Sequence, residues 1–233
     1  MKGKKPLVFV PGLFGNAALA QPYVKSLEAL PYNLKVYTVD PTPVQWTGTL
    51  RENFKPVLEA VSQTAEKALR ETGAERVILS GTSAGGRVAR LWLSDTSYGG
   101  VKCGGWQLTE TIIMLGAANQ TNEGWSKKSV DWVNANAPGA YYKTVNYITV
   151  IGKAVQGKFG FSPEANLAAI NYRVQCGKSE VWGDGVIPLE CAKLNGALNL
   201  VLDGVWHVGI LGKIGYETPA ATAQWGKYLG EVL

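Results

Sequence analysis

At 233 residues, 46% of them hydrophobic and only 18% charged, the chain has enough apolar material for a sizeable core, which excludes intrinsic disorder. Its longest apolar runs are strand-length and stop far short of the ~18 consecutive apolar residues that a membrane span needs. The net charge of +5 is scattered apart from Lys2, Lys4 and Lys5. With no zinc spacing, RNA-binding motif or basic helix it argues against nucleic acid as a partner, and allows only weak attraction to an anionic membrane surface.

Residues 1–5 resemble the start of a signal peptide, but the apolar run at 7–10 breaks at Pro11-Gly12, too soon for a secretory core. It is read instead as the first core strand, and the chain as cytoplasmic or already processed. A short helix is expected around 22–29, a second strand over 34–39, and a transition over 46–52. Residues 53–71 predict a long helix, because Val57, Leu58, Val61, Ala65 and Leu69 recur at steps of three and four. Asn53 is placed to cap it, Pro56 falls in its first turn, and Gly73 is a plausible C-terminal stop. A strand over 76–80 then runs into a serine turn, followed by a helix carrying Val88, Ala89, Leu91 and Trp92. Further strands are expected at 111–115, 145–151 and 198–202, and a helix at 220–229 closes the chain.

Strands alternating with helices predict an α/β fold over residues 1–233, with a mostly parallel sheet covered on both faces. Two stretches break the rhythm. Residues 118–144 hold Trp125, Trp132, Tyr141 and Tyr142 among polar residues, and 153–183 separate a core strand from a motif at Asp184. Both follow the C-terminal ends of strands, where ligands bind in open α/β sheets, and are candidate lid or cap segments. The alternative is that the aromatics anchor loops to the core. Cys103, Cys176 and Cys191 lack CxxC spacing and leave one thiol over in any disulfide scheme, which favours inert thiols in a reducing compartment.

The chemistry centres on Gly81-Thr82-Ser83-Ala84-Gly85-Gly86. A strand, this turn and a following helix are the setting of a nucleophile elbow, in which a serine is held in a strained conformation above the sheet. Side chains two residues either side of Ser83 would meet neighbouring backbone, and Gly81 and Gly85 remove them. A serine hydroxyl needs a base to take its proton. The chain has one histidine, so a histidine base can only be His207. Asp184, between Gly183 and Gly185 and in the order Ser…Asp…His, is the leading partner for the imidazole, with Asp203 and then Glu190 as competitors. Charge on a former carbonyl oxygen calls for two N–H donors. The backbone N–H of Ala84 is one. The loop Pro11-Gly12-Leu13-Phe14-Gly15 should supply the other from Leu13, with Phe14 as runner-up.

These segments, with Met114-Leu115-Gly116-Ala117 and the run from Gly183 to Pro188, resemble the lipase and esterase branch of the α/β-hydrolase superfamily over nearly the whole length. The Asp-Gly-Val-Ile-Pro run and the later histidine are similar to those of bacterial lipases. Val-Trp-Gly-Asp-Gly and Leu-Asp-Gly-Val-Trp-His are similar to a hydrolase group of cyanobacteria and plant plastids. The chain departs from many members at Pro11 and Thr82, where they carry histidine; neither position supplies the triad. The resemblance implies hydrolysis of a carboxylic ester or lipid through Ser83, His207 and Asp184, with no metal or organic cofactor. Acyl transfer or thioester cleavage by the same residues, and a hydrolase-like ligand receptor, are the competing expectations.

Overall fold

Alternate residues of the first strand face opposite ways, and this sorts the whole molecule into layers. Leu7 and Phe9 pack with Ile78, Ile113, Leu115, Ile148 and Val150 on one side of a sheet. Val8 and Val10 pack with Val77, Leu79, Ile112 and Met114 on the other. Strands buried on both faces need a parallel sheet with helices on each side, and the chain supplies one. The computed structural model describes residues 3–231.

In chain order the elements are β1 (Lys5–Val10), α1 (Gln21–Glu28), β2 (Leu34–Thr38), α2 (Pro43–Thr49), α3 (Lys55–Thr72), β3 (Val77–Thr82) and α4 (Ala84–Leu93). There follow β4 (Thr109–Leu115), α5 (Gly124–Asn136), β5 (Asn146–Lys153), β6 (Val155–Gln156), α6 (Pro163–Cys176), β7 (Trp182–Gly183) and α7 (Leu189–Ala192). The last are β8 (Leu198–Asp203), β9 (Val205–Trp206), β10 (Ile214–Gly215) and α8 (Pro219–Gly226). Six strands form one parallel sheet in the order β2-β1-β3-β4-β5-β8. Helices α1 and α8 cover one face through Tyr23, Leu27, Ala221 and Trp225, and α3, α4 and α5 cover the other through Val57, Val61, Val88, Leu91 and Val133. Among the described residues no helix is long and apolar enough to cross a membrane.

The expected elements are present, with three local corrections. The transition expected at 46–52 is largely helix: α2 starts at Pro43, and its first turn is closed by a capping box. There the Gln45 N–H donates to Thr42 Oγ1, and the Thr42 N–H donates to the Gln45 side chain. Asn53 does not cap α3; the helix begins after Phe54, which turns its ring into the core and makes no side-chain cap bond. Pro56 does fall in the first turn, and Gly73 ends the helix at φ 74° with its N–H on the Leu69 carbonyl. The closing helix starts at Pro219 and tightens after Gly226 into a 3₁₀ turn.

Residues 118–144 contain α5, and 153–183 contain α6 and the two strands of the β6–β7 ribbon. Their aromatics divide. Tyr142 stacks on Trp106 and Trp132 lies against Tyr98, so these two anchor the segment to the core. Trp125 is instead partly exposed. All three cysteines are free, and burial pushes the Cys103 thiol up to about 11 and the Cys191 thiol up to about 12.

Leu79 is fully buried at the centre of β3, beneath α3 and α4. Leu79→Ala should lower unfolding stability by about 2–5 kcal/mol, read as a lower urea midpoint at unchanged slope.

Candidate active site

The strand order creates the site's location. From β1 the chain moves outward to β2, then returns to place β3 on the other side of β1. The loops leaving β1 and β3 therefore diverge, and a crevice opens between them at the C-terminal edge of the sheet. The register pairs Val10 with Gly81, so the Gly12–Leu13 turn and Ser83 emerge side by side.

Ser83 sits between the end of β3 and the first residue of α4 at φ 53°, ψ −120°, a conformation costing a non-glycine residue on the order of 1–3 kcal/mol. Its N–H donates to the Leu115 carbonyl at 2.8 Å. The neighbours must be glycine for steric reasons. A Cβ on Gly81 would strike the backbone of Gly85 and Gly86, and one on Gly85 would strike the carbonyl oxygens of Val10 and Pro11. A Cβ on Gly86 would strike Ala117. This contact lets the start of α4 press against the exit of β1, with Ser83 at the helix N-terminus where the dipole favours negative charge.

His207 follows β9, and its backbone N–H donates to the Asp184 carbonyl at 2.8 Å. Its ring bridges the two other predicted residues: Nε2 lies 3.0 Å from Ser83 Oγ, and Nδ1 lies 2.8 Å from Asp184 Oδ2. Asp184 is 1% exposed and receives a full set of donors. Oδ1 accepts the N–H groups of Val186 and Ile187 at 2.9 and 2.6 Å, and Oδ2 accepts the Tyr216 hydroxyl at 2.8 Å besides the imidazole. Burial disfavours the imidazolium, but the Asp184 charge and hydrogen bond outweigh it and raise the His207 pKa above its ordinary 6.5.

Neither competitor approaches the ring. Asp203, at the end of β8, pairs with Lys153 at 3.4 Å with its side chain 84% exposed, and Glu190 pairs with Lys178 at 3.1 Å. Among the described residues, neither the Leu13 N–H nor the Ala84 N–H has a protein acceptor. Gly12 brings their two backbones together, its Cβ position lying 3.4 Å from the Thr82 carbonyl and 3.6 Å from Ser83 Cβ. Phe14, the runner-up donor, sits at φ 61° and is half exposed.

A cleft of about 600 Å³ opens above Ser83, lined by Leu13, Leu19, Tyr23, His207 and Glu217 among others. Burial raises the Glu217 carboxyl, opposed by nearby Thr82 and His207. A cavity of about 440 Å³ at the opposite, N-terminal end of the strands, beside Thr72 and Arg76, holds no comparable nucleophile and base.

Sequence reasoning missed Tyr216. Its hydroxyl accepts the Gly152 N–H at 2.6 Å while donating to Asp184, and burial keeps it protonated, well above its ordinary pKa of 10. The signal was indirect: Gly116 and Gly152 end two core strands, and a Cβ on either would collide with the Tyr216 side chain. It also missed Arg87, one helical turn after Ser83, which is 4% exposed.

With a single imidazole in the chain, its titration reads directly in a proton or ¹⁵N NMR spectrum. The resonance should titrate above 6.5. In Asp184→Asn burial remains while the charge is gone, so the pKa should fall below 6.5; an unchanged value would mean that the carboxylate does not act on the ring.

No family model matches the sequence, and no curated protein matches it. Solved structures do. The lipase BlEst2 of Bacillus licheniformis, in its propeptide form, superposes at a TM-score of 0.59 and 17% identity over 98% of this chain and 50% of that one. The chain thus spans about half the length of that lipase. A protein from Xanthomonas campestris pv. campestris described as a hydrolase of the alpha/beta superfamily gives 0.54 and 14%, over 98% of this chain and 99% of that one. Esterase 2 of Thermogutta terrifontis, phosphoramylated by tabun, gives 0.57 and 13%, over 99% and 84%. With its parallel sheet, its strand-to-helix serine turn and these neighbours, the chain has the α/β-hydrolase fold.

Proposed function

We propose that the protein is a serine hydrolase that cleaves carboxylic esters through an acyl-enzyme. The observation that carries this reading is the continuous hydrogen-bonded line from Ser83 Oγ through the His207 ring to the buried Asp184 carboxylate. Asp184 fixes Nδ1 as the protonated nitrogen, which leaves Nε2 with a lone pair aimed at the serine hydroxyl.

Ser83 Oγ attacks the ester carbonyl carbon as its proton passes to His207 Nε2. The carbonyl oxygen becomes an oxyanion, and the N–H groups of Leu13 and Ala84 receive it. Collapse breaks the bond to the alkoxy oxygen, which takes the proton from Nε2 and leaves as the alcohol. Water then gives a proton to Nε2 as it attacks the acyl carbon, and release of the acid restores Ser83. The ester, one water and the protein groups account for every atom of this cycle. The shared fold of a Bacillus lipase and a Thermogutta esterase supports the same reading.

An activated serine reacts with a fluorophosphonate, whereas an ordinary one does not. Mass analysis should find the label on Ser83, and Ser83→Ala should abolish it; a folded protein with unmodified Ser83 would sink the proposal. Asp184→Asn should lower kcat for p-nitrophenyl acetate by about 10³–10⁴-fold, whereas Asp203→Asn should change it by less than about twofold. Because the base acts in its neutral form and its pKa is raised, turnover should rise with pH through a midpoint above 6.5.

A further inference from the structure

Ser83 lines two hollows of very different size. The cleft of about 600 Å³ contains His207. A second cavity, of about 60 Å³, shares only Ser83 with it and is lined by Ala84, Arg87, Glu123, Trp125, Val186 and Ile187 among others, without the histidine. The chemistry assigns their occupants. The leaving alkoxide must take its proton from His207 Nε2, so the alcohol portion has to lie in the cleft that holds the ring. The acyl carbon stays on Ser83 with its oxygen at the Leu13 and Ala84 N–H groups, and its remaining substituent points away from His207, into the smaller cavity.

Two features of that cavity limit what enters it. Its volume admits only a few water-sized groups. A buried cation also packs behind its wall. Arg87 is sandwiched between Phe54 and Trp125, with its guanidinium carbon 5.3 and 4.7 Å from the two ring centres. All three of its nitrogens are buried without a hydrogen-bond partner. Arg90, on the same helix, instead donates to Asn119, Asn134 and the Ala137 carbonyl. A long hydrocarbon tail forced in beside Arg87 would push Trp125 off the guanidinium it covers and forfeit that contact, which is unfavourable.

We infer that the substrate is an ester of a short acid, with an acyl group of up to about three carbons, and a larger, mostly apolar alcohol. This rests on the serine-hydrolase reading. It assigns the site's two halves: acyl group against Trp125 and Arg87, alcohol against Leu13, Leu19 and Tyr23.

Hexyl acetate and methyl heptanoate are isomers that present the same atoms with opposite division about the ester bond, and pH-stat titration measures both. The wild-type protein should favour hexyl acetate by at least about tenfold in kcat/KM. Trp125→Ala, which removes part of the cavity's lining, should shift the ratio of kcat/KM for methyl heptanoate over hexyl acetate by about tenfold toward the heptanoate. Equal or reversed wild-type preference, in protein whose Ser83 still takes the fluorophosphonate, overturns the division while leaving the hydrolase reading in place. That wild-type comparison stands even if the variant does not fold. Absence of both labelling and turnover removes the hydrolase reading and the division with it.

Discussion

Everything at the crevice depends on how closely the start of α4 approaches the exit of β1. The Gly85 backbone lies where any side chain would collide with the Val10 and Pro11 carbonyl oxygens. That approach forces the tight bend at Ser83 and brings the Gly12–Leu13 turn close to it. The unfavourable backbone angles persist because the surroundings over-determine them. Val8, Val10 and Leu79 are fully buried beneath α3 and α4, so β1, β3 and the helix cannot separate without exposing a core.

The acid half of the site is held by different means. A buried carboxylate is costly unless donors surround it. Asp184 has four: two backbone N–H groups from its own turn, the imidazole and a tyrosine hydroxyl. Tyr216 in turn occupies space that two glycines at strand ends leave open, and it is itself fixed by the Gly152 N–H. The backbone bond from His207 to Asp184 ties the two residues together independently of their side chains. The imidazole therefore has little freedom to rotate away from Ser83.

The parts legible in sequence were those whose cause is local or unique. A strand followed by Gly-x-Ser-x-Gly announces a bend that only glycine permits, and a lone histidine leaves no choice of which imidazole could meet the serine. The strands stood out because both faces of a parallel sheet are apolar. Asn53 misled because a good capping residue lay next to Phe54, whose burial decided where the helix begins. Helix α2 was missed although Thr42 and Gln45 have the spacing of a capping box. Tyr216 and Arg87 carry no periodic signal. Their importance comes from segments far away in the chain, namely Asp184 and Gly152 for one, and Phe54 and Trp125 for the other. The aromatics of residues 118–144 looked alike in sequence and separate only in three dimensions: Trp132 and Tyr142 anchor the segment, Trp125 lines a cavity beside the serine, and Tyr141 stays half exposed.

Ser83 and His207 are 124 positions apart, and β5, β8 and the turn bearing Asp184 all lie between them. During synthesis the bend at Ser83 can form as soon as β1, β3 and β4 have assembled, but His207 emerges from the ribosome much later. Contacts of such long range form late, after the loop entropy has been overcome. On the proposed mechanism a nascent or truncated chain thus displays an inert hydroxyl, and reactivity arrives only after the last strand of the sheet has been added.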